Sequence, residues 1–377
     1  MIIGILKEAA GERRVAMLPD SVAALVKLKA KVMVEKDAGA AAYSSDQGYA
    51  DAGATITVRE QLLKEADILV GINPPPADEM KTMKKGQVIL AVFNPFFNQE
   101  LVMAMAAADI TAFSLDVIPR TTRAQAMDIL SSMATVAGYK AVLAAADRLP
   151  RFFPMFMTAA GTITPAKVLI LGAGVAGLQA IATSRKLGAV VEVFDVRAAV
   201  KEEVVGLGAK FVEVEGAKDD KAAGGYAVEQ TDEFKQRQAA VIHEHAVKSD
   251  VIICTAQIPG RQAPLLIRKE TVEYMKPGSV IIDLAASTGG NCEVTVNNET
   301  ISHTGVTVVG NSLLAVDLPS DASKMFGKNL INFLKLLISQ DGELVLNWED
   351  DLVKGTALTH QGAVVHERLR QAYEMNG

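Results

Sequence analysis

Residues Ala166 to Arg197 read AKVLILGAGVAGLQAIATSRKLGAVVEVFDVR. A short apolar run, Val168 to Leu171, meets three glycines, Gly172, Gly174 and Gly177, with Val175 between the last two. An amphipathic run to Leu187 follows, then a second apolar run, Val190 to Phe194, which ends on Asp195. Strand, glycine turn, helix, strand and acid come in the order that a dinucleotide-binding unit requires. Gly172 makes the tight turn, Gly174 lets backbone approach a pyrophosphate, and Gly177 lets helix and strand pack closely. The N–H groups that open the helix then face the phosphates, and the helix dipole favours their charge. Asp195, about twenty residues past the turn, accepts hydrogen bonds from ribose hydroxyls and repels a 2′-phosphate. The stretch therefore reads as a site for NAD(H) rather than NADP(H). Arg197 is the discordant residue, because an arginine near this strand end serves a 2′-phosphate. With Asp195 ahead of it, Arg197 reads as lying along the adenosine or solvated.

The rest of the 377 residues sets bounds on what surrounds this unit. The length predicts two domains, each with its own core. Half of the residues are hydrophobic, but they arrive in short runs, and none makes the about 18 uninterrupted apolar residues of a membrane helix. The start, MIIGILKEAA, runs into a strand and lacks the basic, apolar, small-residue order of a signal peptide. Cys254 and Cys292 are too few for a disulfide framework, so a reducing cytoplasm is expected. A formal net charge of −6 and scattered basic residues argue against a nucleic-acid surface.

From Met1 to about Leu115, apolar strand patterns (Ile2–Leu6, Val32–Glu35, Ile68–Ile72, Val88–Val92, Ile110–Phe113) alternate with short helical ones. Alternation of this kind predicts a largely parallel, doubly wound sheet. No glycine-rich turn opens these helices, so this half has the architecture of a nucleotide binder without its phosphate grip. A long Ala- and Met-rich helix is predicted from Arg123 to about Leu149, with Thr122 and Gln125 as a capping box. Gln125, Asp128 and Ser131 then recur every third position along one side. That side is either a solvated face or, with Arg120, a wall beside the nucleotide. Gly216 to Gln230 is a long polar stretch holding Gly225 and Tyr226. Such a stretch is either a lid that folds an aromatic over a ligand or a surface excursion. Ala256 and Gln257 leave a strand at the carboxyl edge of the second sheet, where ligands bind in such folds. An amphipathic helix from Asp321 to Ser339 and short strands at Glu343–Leu346 and Gly362–Val365 return the chain to the first domain. The expected fold is α/β: two doubly wound Rossmann-like domains with a deep cleft between them, joined by long helices. Residues 1–125 with 320–377 form one domain, and 126–319 the other.

The five histidines, His243, His245, His303, His360 and His366, show no metal-ligand spacing. The two cysteines lack a CxxC arrangement, and neither an HExxH nor a nucleophile elbow occurs, so neither a metal nor a Ser or Cys nucleophile is expected.

Several stretches, PRTTRAQAMDILSSMATVAGYKAV, FFPMFMTAAGTITPAKVLILGAGVAGLQAIATSRKLGA, AGGYA, KPGSVIIDLAASTGGNCE and GKNLINFLKLL, together carry a resemblance. The chain resembles, over essentially its whole length, the NAD(H)-binding component (domain I, on the alpha subunit) of proton-translocating NAD(P) transhydrogenase. That family shares its fold with alanine dehydrogenase, and GILKE and RVAMLP fit both. The resemblance implies that Arg120, Gln125, Asp128 and Ser131 face the nicotinamide and its ribose. It implies nucleotide contacts for Gly172, Gly174, Val175, Gly177, Asp195, Val196, Arg197 and Ala256, and a mobile loop at Gly225 and Tyr226. Gln257 stands where the family more usually has leucine. It further implies a homodimer whose partners are NADP(H)-binding and membrane-spanning subunits. Hydride transfer is coupled to proton movement in the membrane part. The chain itself would be cytoplasmic, peripheral on the cytoplasmic face of the inner membrane.

One departure separates the two relatives. Alanine dehydrogenases carry a Lys and a His at two strand exits where this chain has Asn73 and Asn94, while Arg14 resembles their carboxylate-binding arginine. Oxidising an amino acid moves a proton as well as a hydride and needs such groups. Hydride transfer from NADH to NADP⁺ leaves no net proton to handle. The expected function is thus hydride supply to NADP⁺ on a partner, against two rivals: an alanine dehydrogenase and a catalytically idle NAD(H)-binding module.

Overall fold

The computed structural model describes residues 1–216, 231–258 and 261–375. The chain divides into two compact units, Met1–Met133 with Val316–Gly377, and Ala134–Ala315.

The first unit is built on an eight-stranded sheet. Six strands are parallel, in the order Ala54–Thr57, Lys31–Glu35, Ile2–Ile5, Ile68–Val70, Val88–Ala91, Thr111–Ser114. Counted along the chain this is 3-2-1-4-5-6, the doubly wound order, which reverses direction between Ile2–Ile5 and Ile68–Val70. Ala357–His360 adds antiparallel to Thr111–Ser114, and Ala363–Val364 pairs outside it. The last three parallel strands are buried at every residue, which is why Ile68–Val70 and Val88–Ala91 read as unbroken apolar runs rather than alternating ones. Their side chains still divide by parity. Val88 and Leu90 join a core with Ile3, Ile5 and Phe113, while Ile89 and Ala91 join another with Leu62, Leu69 and Met105. Helix Pro319–Leu334 places Phe326, Leu330, Phe333 and Leu334 in the first of these cores, at the three- and four-residue spacing of one helical face.

The second unit repeats the plan. Lys210–Val212, Val190–Phe194, Lys167–Leu171, Val251–Cys254, Val280–Asp283 and Val306–Gly310 are parallel in that order, with Glu299–His303 antiparallel at the edge. The reversal falls between Lys167–Leu171 and Val251–Cys254. Of the helices among the described residues, Ile129–Arg148 alone is long and apolar enough to cross a membrane by length and composition. Its Ala141, Val142 and Ala145 lie in the core of this unit beside Val168, Ile170 and Ile181.

Several expectations are corrected. The helix predicted from Arg123 begins at Ile129, after a 3-10 turn over Thr122–Met127. Glu343–Leu346 forms no strand, only an isolated bridge from Leu344 to Ile338. Five strands lie outside the prediction, four of them Ala54–Thr57, Glu299–His303 and the hairpin Phe156–Thr158 with Gly161–Ile163. None of these four has the continuous buried run that marks the other strands. Ala357–His360, a buried strand, was also absent from the prediction.

Candidate functional site

In the second unit the three glycines meet three different surroundings. Gly172, at φ +101°, turns so tightly against the neighbouring strand exit that a Cβ there would lie 2.7 Å from Thr255 Oγ1 and 3.1 Å from Ala256 N. A Cβ on Gly177 would lie 1.9 Å from the carbonyl oxygen of Gly172, so only glycine lets the helix sit this close to the turn. A Cβ on Gly174 would meet nothing within 4 Å. That open space is where a pyrophosphate would come against the backbone. Gly174 is also the N-cap of helix Val175–Lys186, and no side chain caps it. Val175 at the first helical position is exposed. The first N–H groups of this helix thus have no side-chain cap, at the end where the helix dipole favours negative charge.

Asp195 ends the next strand with a carboxylate held from two sides. Ala173 N donates to Oδ2 at 2.7 Å and Arg197 N donates to Oδ1 at 2.8 Å. The Arg197 side chain adds two more bonds, Nε to Oδ1 at 2.9 Å and Nη2 to Oδ2 at 2.7 Å. The Arg197 side chain, 22% exposed, thus folds back on the acid, because a carboxylate two residues away suits the planar guanidinium fork. Val196 is half-buried against the neighbouring core.

Across the reversal, Thr255 Oγ1 donates to the carbonyl of Gly172 at 2.9 Å and fixes the turn. Ala256 N donates to Asn291 Oδ1, and Asn291 Nδ2 donates to the carbonyls of Ala256 and Pro264. Gln257 points its amide at the Leu284 carbonyl, 2.9 Å away, tying two strand exits together. Asp283 lies fully buried beneath them and accepts from Ala285 N, Asn291 N, Cys292 N and Thr295 Oγ1. Burial pushes its carboxyl above the usual range, against the downward pull of those four bonds. The run Asp283 to Asn291, DLAASTGGN, reads from sequence as a second strand exit onto the edge where ligands bind; Thr255 and Thr295, outside that run, carried no such signal.

The other predicted residues belong to the first unit. The Thr122–Met127 turn has Thr121 as N-cap with no side-chain hydrogen bond, so the Thr122–Gln125 capping box does not form. Asp128 caps the long helix instead: Ser131 N donates to Oδ1 at 2.9 Å and Ser131 Oγ to Oδ2 at 2.6 Å. Asp128 and Ser131 are therefore one hydrogen-bonded pair, while Arg120 and Gln125 are exposed on the preceding turn. That turn is anchored from the far end of the chain. Asn329 and Asn332 both donate to the Ala126 carbonyl, at 2.9 and 3.0 Å. Arg123 pairs with Asp350 and with Asp351.

At the reversal of the first sheet the chain fills its own crevice. Glu8 accepts from Ile72 N at 2.6 Å and from Asn73 N and Nδ2 at 3.1 and 3.0 Å. Burial pushes its carboxyl up, with these bonds opposing. Arg14, the arginine that resembles a carboxylate binder, is held by Glu12 through Nε at 2.8 Å and Nη2 at 2.6 Å. Among the described residues no group of three or more His, Cys, Asp or Glu is placed to hold a metal ion. His243 and His245 bond to different elements, Thr271 and Glu192. Gly225 and Tyr226 lie outside the described residues.

The sequence matches the family "Alanine dehydrogenase/PNT, N-terminal domain" over residues 4–137 and "Alanine dehydrogenase/PNT, C-terminal domain" over residues 141–367. It is 46% identical over 379 residues to an NAD(P) transhydrogenase subunit alpha polypeptide of Rhodospirillum rubrum, covering 98% of this chain and 99% of that one. A crystal structure of transhydrogenase from Sinorhizobium meliloti is 42% identical and superposes with a TM-score of 0.86 over 98% of this chain and 100% of that one. An L-alanine dehydrogenase structure is more distant in sequence, 25% identical, with a TM-score of 0.81 over 100% of both chains.

Proposed function

The chain belongs to the alanine dehydrogenase/PNT family, and we propose that within it the chain is the NAD(H)-binding subunit of a proton-translocating NAD(P) transhydrogenase. The observation that carries this reading is the reversal point of the second sheet. There an open glycine, an uncapped helix start and an acid clamped by two backbone N–H groups lie within one strand–turn–helix–strand unit. These groups fit NAD(H): Gly174 and the helix start hold the pyrophosphate, and Asp195 the adenosine ribose. Bound NADH supplies a hydride to NADP⁺ on a partner subunit. The chain's own residues then do positional work. Arg120, Gln125, Asp128 and Ser131 orient the nicotinamide end, and Tyr226 excludes water from it. Gly225, Ala256 and Gln257 complete the binding set. No residue in that set is required to move a proton.

Asn73 and Asn94 in place of Lys and His, with Arg14 already holding an internal carboxylate, argue against the amino-acid dehydrogenase reading. Membrane-spanning and NADP(H)-binding partner subunits belong to this proposal, as does a location on the cytoplasmic face of the inner membrane. A homodimer belongs to it too. The hairpin Phe156–Thr158 with Gly161–Ile163 is exposed at every residue, and Phe152 packs on Phe156 with ring centroids 4.5 Å apart. A second copy would cover that apolar surface, and sedimentation of the Met157→Asp variant as a monomer beside a dimeric parent would bear this out. The test of function is to mix the purified chain with an NADP(H)-binding transhydrogenase component and follow reduction of an NAD⁺ analogue by NADPH. Turnover that needs both components supports the reading; a chain that binds NADH yet passes no hydride leaves only the idle module.

A further inference from the structure

We propose that Arg197 competes with the adenosine ribose for Asp195, and so sets both the affinity for NADH and the margin by which the phosphorylated coenzyme is refused. The inference rests on the NAD(H) reading above and deepens it. A carboxylate offers about four acceptor positions. On Asp195 all four are taken, two by the backbone N–H groups of Ala173 and Arg197 and two by Nε and Nη2 of Arg197. The backbone pair is fixed by the fold and keeps the carboxylate aimed. The side-chain pair is exchangeable, and a ribose diol that donates two hydrogen bonds needs those two positions. NADH therefore binds at the expense of a bidentate, charge-assisted contact whose acid is 6% and whose arginine is 22% exposed. The displaced guanidinium stays on the same two-residue tether, next to the ribose edge. It offsets part of the negative charge that would repel a 2′-phosphate.

The test is a titration of the full chain with NADH and with NADPH, at one fixed salt concentration. It uses the parent, Arg197→Met, Asp195→Asn and the double variant, with thermal melting to establish that each folds. Arg197→Met keeps the length of the side chain and loses its fork. It should bind NADH about three- to tenfold tighter and NADPH more weakly, widening the ratio between them. Asp195→Asn should gain NADPH affinity, and the double variant should lose that gain. An Arg197→Met variant that binds NADH more weakly, or leaves the ratio unchanged, overturns the inference while the coenzyme reading stands. A parent that binds neither coenzyme removes both.

Discussion

A methyl group added at Gly177 or at Gly174 has opposite consequences, although the two glycines are three residues apart. At Gly177 it would sit 1.9 Å from the Gly172 carbonyl oxygen, so the helix has to back away from the strand. Gly177→Ala should lower stability by about 1–3 kcal/mol or more, read as a drop in melting temperature. At Gly174, where nothing lies within 4 Å and φ is −76°, alanine costs the fold almost nothing. Gly174→Ala should melt with the parent and bind NADH at least about tenfold more weakly, because its methyl group stands where the pyrophosphate belongs. Asp195→Ala removes a charge-assisted acceptor, and NADH affinity should fall by about 1.5–3 kcal/mol, roughly ten- to hundredfold. Unchanged affinity by calorimetric titration would refute the role. The tight turn at Gly172 and the close approach at Gly177 were readable from spacing, since a strand, a turn and a helix in fixed register dictate where backbone comes close. The Arg197 side chain was not readable, because proximity in sequence left open whether it meets the acid, the adenosine or water.

The start of the long helix shows how an element boundary was misread. Thr122-x-x-Gln125 has the spacing of a capping box, but Asp128, one turn on, makes the cap, with both of its oxygens engaged by Ser131. What holds the intervening 3-10 turn is the pair Asn329 and Asn332 on the Ala126 carbonyl, with Asp350 and Asp351 on Arg123. Those partners are some two hundred positions away in the chain, and local patterns carry no trace of them. Strand existence, by contrast, was legible in the buried parallel runs Ile68–Val70 and Val88–Ala91, though not at the equally buried Ala357–His360, whose sequence ALTH carries two polar residues. The corrected cap separates two roles that the sequence had merged. Asp128→Ala should cost about 1 kcal/mol of stability through loss of the N-cap. Gln125 is exposed and caps nothing. Gln125→Ala should therefore stay within about 0.5 kcal/mol of the parent in stability, bind NADH normally and slow hydride transfer. Single-turnover rates equal to the parent's would leave Gln125 without a function.

At the scale of the whole chain, each unit carries the same 3-2-1-4-5-6 sheet, and the difference between them lies at the reversal point. In the second unit a glycine turn leaves room there. In the first, Glu8 reaches from the end of Ile2–Ile5 to Ile72 and Asn73 beyond Ile68–Val70 and uses its carboxylate to close the gap. One acid thus stands at the reversal of the first sheet where the second has a glycine turn, and strand patterns, which record only the shared topology, cannot tell the two apart. The same surroundings bear on amino-acid chemistry. Asn73 spends its amide on Glu8, and Asn94 has no proton to give or take at neutral pH. Arg14 is bound through two nitrogens by Glu12, and both side chains are only 10% exposed. An external carboxylate would have to displace an internal one, and a bound amino acid would still find no base. The purified chain given L-alanine and NAD⁺ should therefore form no NADH above background between pH 7 and about 10, the range over which an α-amino group loses its proton. Restoring a base with Asn94→His should not suffice while Glu12 holds Arg14. Sustained alanine-dependent NADH formation by the parent would show that the first unit keeps a substrate site despite Glu8 and Glu12, and would return the chain to the dehydrogenase branch of its family.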